Sequence, residues 1–214
     1  MNMDMSSTDL TYNQKNITGD LFGGLSILPY GIFLLLSAYA FAQGWLNWET
    51  NNGPPFLGGV LAWSLDGLIQ IYYRKRYNFS FRKENVNEKK TNRSGGILLF
   101  ILLIIGFLIT WYVDVNFDLH IRLTPLLFGI WVCVRGTYLL KKGWKGYGAA
   151  HLALGLIPIG VGIVPFIFNF PANNLFFGFE GVYELAAMGI VVLMVSIMEH
   201  FIFVNLWNSG LIKP

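Results

Sequence analysis

The sequence predicts an all-α, polytopic integral membrane protein: a bundle of about six transmembrane helices folded as three in–out–in hairpins. Three observations predict it. Only 13% of the 214 residues are charged and 54% are hydrophobic, against about 25% charged in an ordinary soluble domain. Six apolar stretches reach or approach the roughly 20 residues a helix needs to span the hydrocarbon. Lysines and arginines gather in alternate connections between those stretches, the pattern of the positive-inside rule.

The missing charge is replaced by Leu, Ile, Val, Phe, Trp and Gly, not by disorder-promoting residues. The length suits one membrane domain without a soluble companion. The net charge of +3 is accounted for by basic residues sorted to one membrane face, so a nucleic-acid partner is not expected. Cys133, the one cysteine, sits in an apolar run and reads as a small buried hydrophobe; one cysteine makes no internal disulfide and no CxxC motif.

Residues 1–22 form a polar segment without a basic n-region, so the first apolar run reads as a retained helix, not a cleaved signal. That first span is 23–46, closed by Trp45 and Trp48. The second is 56–73, preceded by Pro54 and Pro55 at positions where a helix start tolerates a missing N–H. The third, 95–113, is the most aliphatic. The fourth is 123–140, with Pro125 in its first turn. The fifth is 147–168, where Pro158 and Pro165 are expected to kink or shorten the helix. A turn at 169–174 leads to the sixth, 178–207, and a short tail, 208–214. Trp45, Trp48, Trp111, Tyr112, Trp144, Tyr147 and Trp207 lie near span ends, as an interfacial aromatic belt does. A faint echo links Leu25–Gly31 with Leu154–Gly160 (Leu-x-x-x-Pro-x-Gly in each), but shared apolar composition is the better explanation. Small-residue pairs Ala38/Ala42, Gly58/Ala62 and Ala149/Ala153 are available for close helix packing.

The connection 74–94 carries Arg74, Lys75, Arg76, Arg82, Lys83, Lys89, Lys90 and Arg93, and the next even connection carries Lys141, Lys142 and Lys145. The odd connections carry Glu49, Asp114, Asp118 and Glu180, with Arg122 as their one cation. This sorting predicts that both basic connections and both termini are cytoplasmic, and the compact hairpin layout points to a prokaryotic inner membrane. It also marks Arg74, Lys75, Arg76, Lys141, Lys142 and Lys145 as facing anionic lipid. The sequons at Asn16, Asn78 and Asn92 fall on that same side and are discounted.

Ionisable residues within spans are costly and are functional or paired by default. The candidates are Asp66, Arg135, His151, Glu184, Glu199 and His200. At a 1.5 Å rise per residue, Arg135, His151, Glu199 and His200 fall at one depth, roughly 6–11 Å inside the cytoplasmic interface. Arg135 and Glu199 are expected to interact, directly or through His151 or His200. Asp66 lies mid-span with no cation at its depth, so it should be protonated, hydrogen-bonded or facing water; it suits a proton or cation path. Glu180 and Glu184 share a face four residues apart.

No HExxH, GxSxG, P-loop, GxGxxG or paired-carboxylate motif occurs, so no catalytic residue is assigned and an enzyme is not expected. The leading functional reading is a transport-related membrane subunit, acting as a homo-oligomer or beside a partner such as an ABC-type transporter. A non-catalytic scaffold, sensor or immunity-type protein is the alternative. A third reading, a membrane enzyme or redox protein binding haem or metal at His151 and His200, rests on matched depth alone; no cofactor is otherwise expected.

Overall fold

The computed structural model describes residues 21, 24–45, 53–78, 105–110, 112–114, 116–117, 121–168 and 182–210. Every regular element among them is helical. A 3-10 turn, Gly24–Ile27, runs into α1, Leu28–Ala42. Then come α2, Gly53–Tyr77; the short apolar α3, Ile105–Asp114; α4, Leu123–Lys141; α5, Lys145–Phe168; and α6, Val182–Asn208. Four segments are long and apolar enough to cross a membrane: the 3-10 turn with α1, α4, α5 and α6.

The second predicted span is a single helix, but longer than expected. It takes Pro54 and Pro55 into its first turn and continues through Arg74, Lys75 and Arg76. Cations in the last turn complement the negative end of the helix dipole, which favours continuation past Tyr73. Those three cations, with Asp66 and Gln70, also make it more polar than the four apolar segments. Of the third predicted span only the stretch from Ile105 is described, and 79–104, 169–181 and the two tails lie outside the described residues.

Glycine stops set three helix ends. Gly44, at φ 69°, ends α1: its N–H donates to Phe41 O and that of Trp45 to Ala40 O. Gly143, at φ 89°, ends α4 in the same way, with Trp144 N–H on Leu139 O. Gly210, at φ 69°, follows α6, its N–H donating to Trp207 O. These bonds satisfy orphan carbonyls in a left-handed conformation that glycine adopts without strain. They shorten the first span to Ala42. The fifth runs unbroken through Pro158 and Pro165, both buried, against the expectation of early termination. Pro29 stands in the first turn of α1 whereas Pro158 is deep inside α5, so the two echoing sequences do not occupy equivalent places.

Helix α6 is the centre of the bundle. It packs against the 3-10 turn and α1 on one side and against α5 on the other, and Val191 and Val195 meet Val132 of α4. Helices α4 and α5 form the tightest pair, an antiparallel hairpin. Its seam is glycine: a Cβ on Gly129 would sit 2.6 Å from Gly155 O, one on Gly136 2.8 Å from Gly148 O, and one on Gly162 2.8 Å from Arg122 O. Backbone therefore touches backbone along the whole seam. The predicted pair Ala149/Ala153 is exposed; the contact face is instead at Gly148 and Gly155. Gly58 and Ala62, by contrast, do face α1: Ala62 is buried, and a Cβ on Gly58 would strike the Phe33 ring.

One end of the bundle is tied by an apolar cluster of Leu21, Tyr73, Leu139, Trp144, Tyr147, Ile202, Phe203 and Leu206. That cluster brings the end of α2, the α4–α5 turn and the end of α6 together, and thereby sets Arg74, Lys75, Arg76, Lys141, Lys142 and Lys145, all exposed, at the same end. The outer surface is apolar, with Leu36, Leu61, Trp63, Leu68, Leu156, Phe166, Ile190 and Phe201 exposed. The interior holds Ser26, Ser37, Asp66, Gln70, His151, Ser196 and Glu199. An apolar exterior around a partly polar interior is the distribution that suits lipid, not water.

Candidate functional sites in the bundle interior

Helices that bury polar side chains in an apolar setting must satisfy them internally. Three groups of residues do so here.

The first surrounds Glu199, which is fully buried, as is His151. Tyr147 Oη donates to Glu199 Oε1 at 2.5 Å, and the backbone N–H of Gly24 donates to Oε2 at 3.0 Å. Ser196 Oγ, one turn earlier on α6, donates to Gly24 O at 2.8 Å. Gly24 has φ 56° and is held by α6 at both its N–H and its C=O. Its N–H is one of the orphan donors at a helix start. Glu199 is thus a distant cap, its carboxylate set against the positive end of the first helix. His151 sits under Tyr147, with ring centroids 4.4 Å apart and Nδ1 at 3.1 Å from Tyr147 O. Arg135, half-buried on α4, lies within reach of Tyr147 and of His151.

The expected layer therefore exists in part. Arg135, His151 and Glu199 come together, but the group joining them is Tyr147, not a histidine. Tyr147 reads from sequence as an interfacial aromatic. Its spacing of four from His151 was the available signal, since that places both on one face of α5.

His200 turns away from this group. It is one residue from Glu199, about 100° around a helix of 3.6 residues per turn, and it faces α2. Its Nδ1 lies 2.6 Å from Tyr73 Oη. That phenol oxygen also accepts the N–H of Leu25 at 3.2 Å, so a second orphan donor of the first helix is satisfied from α2. His151 and His200 thus point to different tyrosines, and among the described residues no three His, Cys, Asp or Glu side chains gather as metal ligands.

The second group is a stripe along α2. Ala62, Asp66, Gln70 and Tyr73 are buried and Tyr77 is half-buried, while Trp63, Leu65, Leu68, Ile71 and Tyr72 are exposed. Positions 66, 70, 73 and 77 recur at helical spacing, so the inward face of α2 is its polar one. Asp66 is 4% exposed and accepts a long hydrogen bond from Tyr30 Oη of α1 at 3.4 Å. Gln70 Oε1 is buried without a hydrogen-bond donor among the described residues.

The third group lies at the opposite end. Arg122 Nε is 3.2 Å from Glu184 Oε1, and Arg122 Nη1 donates to Asp114 O. Asp114 caps α4, its two carboxylate oxygens accepting from Leu123 N at 2.8 Å and Thr124 N at 2.6 Å. The backbone N–H of Arg122 donates to Gly162 O at 3.0 Å. Four helices, α3 to α6, meet at this point. Glu184 is thus an ion-pair partner of the single cation of the odd connections; Glu180 lies outside the described residues. Cys133 faces α5, with Sγ 3.7 Å from Leu152 O.

No protein-family model, curated protein or solved structure matches this chain.

Proposed function

We propose that the chain is a transport-related integral membrane subunit. In this reading it has six spans in three in–out–in hairpins, with the basic end of the bundle and both termini in the cytoplasm of a prokaryotic cell. It works as a homo-oligomer or with a second membrane subunit, an ABC-type transporter being one fitting class of partner. The anionic lipid of the inner leaflet lies against Arg74, Lys75, Arg76, Lys141, Lys142 and Lys145. One observation carries the reading: the inward face of α2 is lined by Asp66, Gln70 and Tyr73, all buried. A helix used only as scaffold has no need of a polar stripe inside the bundle, where each group costs desolvation.

The test is purification of the full chain from its native membrane in mild detergent after cross-linking. A homo-oligomer or a stoichiometric membrane partner is expected, together with a solute-uptake defect when the chain is deleted. A lone monomer, with uptake of ions and common solutes unchanged on deletion, would remove this reading.

The scaffold or sensor reading has its own supporting observation. The Glu199 carboxylate is engaged by Gly24 and Tyr147, which is the behaviour of a group that fixes helix register. The two readings divide the interior between them, with the Glu199 group as architecture and the α2 stripe as the working site.

A further inference from the structure

We propose that the species handled by the α2 stripe is the proton, bound at Asp66 and exchanged with the basic end of the bundle through Gln70, Tyr73 and His200. This rests on the transport reading above and names its substrate.

Four buried or half-buried groups lie in order along one path: carboxyl, amide, phenol and imidazole. The far end is continuous, since Tyr73 Oη and His200 Nδ1 are 2.6 Å apart. His200 is half-buried and stands on α6 toward the end that carries Arg74, Lys75 and Arg76. Between Asp66 and Tyr73 the helix rises about 10 Å, too far for one hydrogen bond. Gln70 lies in that interval, and its Oε1 is a buried acceptor without a donor among the described residues. Such an atom calls for a bridging water, which is also what proton passage requires there.

The same geometry disfavours a metal cation. Tyr73 is fully buried and packed edge-on against Phe203 and against His200. A hydrated ion would have to displace it, but a proton crosses by exchange of hydrogen bonds. The charge balance is simple: His200 gives its ring N–H proton to Tyr73 Oη as the phenol proton passes through the bridging water to form an O–H bond on the Asp66 carboxylate, and a proton from bulk solution at the basic end restores the ring N–H of His200. Among the described residues, the titratable groups facing the path include Tyr30 from α1, Tyr72 and Tyr77 from α2, and His200 and Glu199 from α6. Glu199 accepts from Gly24 and Tyr147 and serves the neighbouring network.

The full chain, with any co-purified partner, is reconstituted into phosphatidylethanolamine–phosphatidylglycerol vesicles containing pyranine, and a valinomycin–potassium potential is imposed. Proton flux above that of protein-free vesicles is expected. Asp66→Asn should reduce it to the protein-free level, Asp66→Glu should retain it, and Tyr73→Phe should slow it. Dicyclohexylcarbodiimide, which attacks protonated carboxyls from the apolar phase, provides a check on unmutated protein. It should attach at Asp66, mapped by mass spectrometry, and stop the flux. Flux unchanged in a folded Asp66→Asn, or after complete modification of Asp66, overturns the proposal. Asp66-dependent movement of radioactive sodium without protons overturns the proton and leaves the transport reading standing. No movement of either ion, with no partner and no uptake defect on deletion, removes both.

Discussion

At the scale of single residues, the interior is governed by who donates to whom. Glu199 has two carboxylate oxygens and each has a specific donor, the Tyr147 hydroxyl and the Gly24 amide. Removing one donor leaves a buried acceptor unsatisfied, at a cost of about 1–3 kcal/mol. Tyr147→Phe is therefore expected to lower thermal stability in detergent by that amount, and Glu199→Gln by a similar one. The double variant should cost less than the sum, with a coupling of at least about 0.5 kcal/mol, because the two side chains share one bond. Additive losses would show that the pair is not coupled. Arg122 and Glu184 make a parallel case at the other end, where the ion pair is mostly buried. Arg122→Met alone should cost roughly 3–5 kcal/mol, and Arg122→Met with Glu184→Gln distinctly less, because the single change strands a carboxylate. Equal losses for single and double variants, read from the same melting curves, would contradict the pairing.

At the scale of elements, the α4–α5 hairpin is the clearest unit. Gly129 and Gly136 are seven residues apart, as are Gly148, Gly155 and Gly162. A seven-residue period keeps a stripe facing one partner along a supercoiled pair, and glycine on the stripe lets the helices approach to backbone contact. Gly136→Ala puts a Cβ 2.8 Å from Gly148 O and 2.9 Å from Leu152 N. Neither is a movable side-chain tip, so the helices must separate, at about 1–3 kcal/mol for overpacking. Gly160→Ala is the control, since a Cβ there meets nothing within 4 Å; in a helix interior it should be neutral or stabilising by up to about 1 kcal/mol. The two melting temperatures compared side by side test this, and equal values would mean the seam is looser than described.

At the scale of the whole molecule, the apolar end cluster sets both described basic segments at one end, while Arg122, Asp114 and Glu184 mark the other. In the proposed topology the connections holding Asn51 and Asn87 fall on opposite sides of the membrane, and reporter fusions at the two positions are expected to give opposite signals. Matching signals would break the hairpin arrangement. Cys133 faces α5 within the bundle, so membrane-impermeant thiol reagents should leave it unlabelled in intact cells. Rapid labelling would mean that α4 borders an aqueous cavity.

Much of this was legible in the one-dimensional pattern. Charge scarcity and apolar run lengths determine that the chain is helical and where four of its helices lie, because lipid leaves the backbone no alternative to internal hydrogen bonding. Depth along each helix follows from residue counting, which is why Arg135, His151, Glu199 and His200 are expected at one level. Azimuth does not follow. Whether residue 199 or 200 faces Tyr147, whether Ala149 or Gly148 meets α4, and which phenol caps the first helix all depend on how each helix is rotated. Hydrophobicity is nearly uniform around a helix immersed in lipid, so the sequence leaves that rotation open. Tertiary structure decided it through close packing at glycine and the pairing of the few buried polar groups, both of which require particular neighbours and not merely apolar ones.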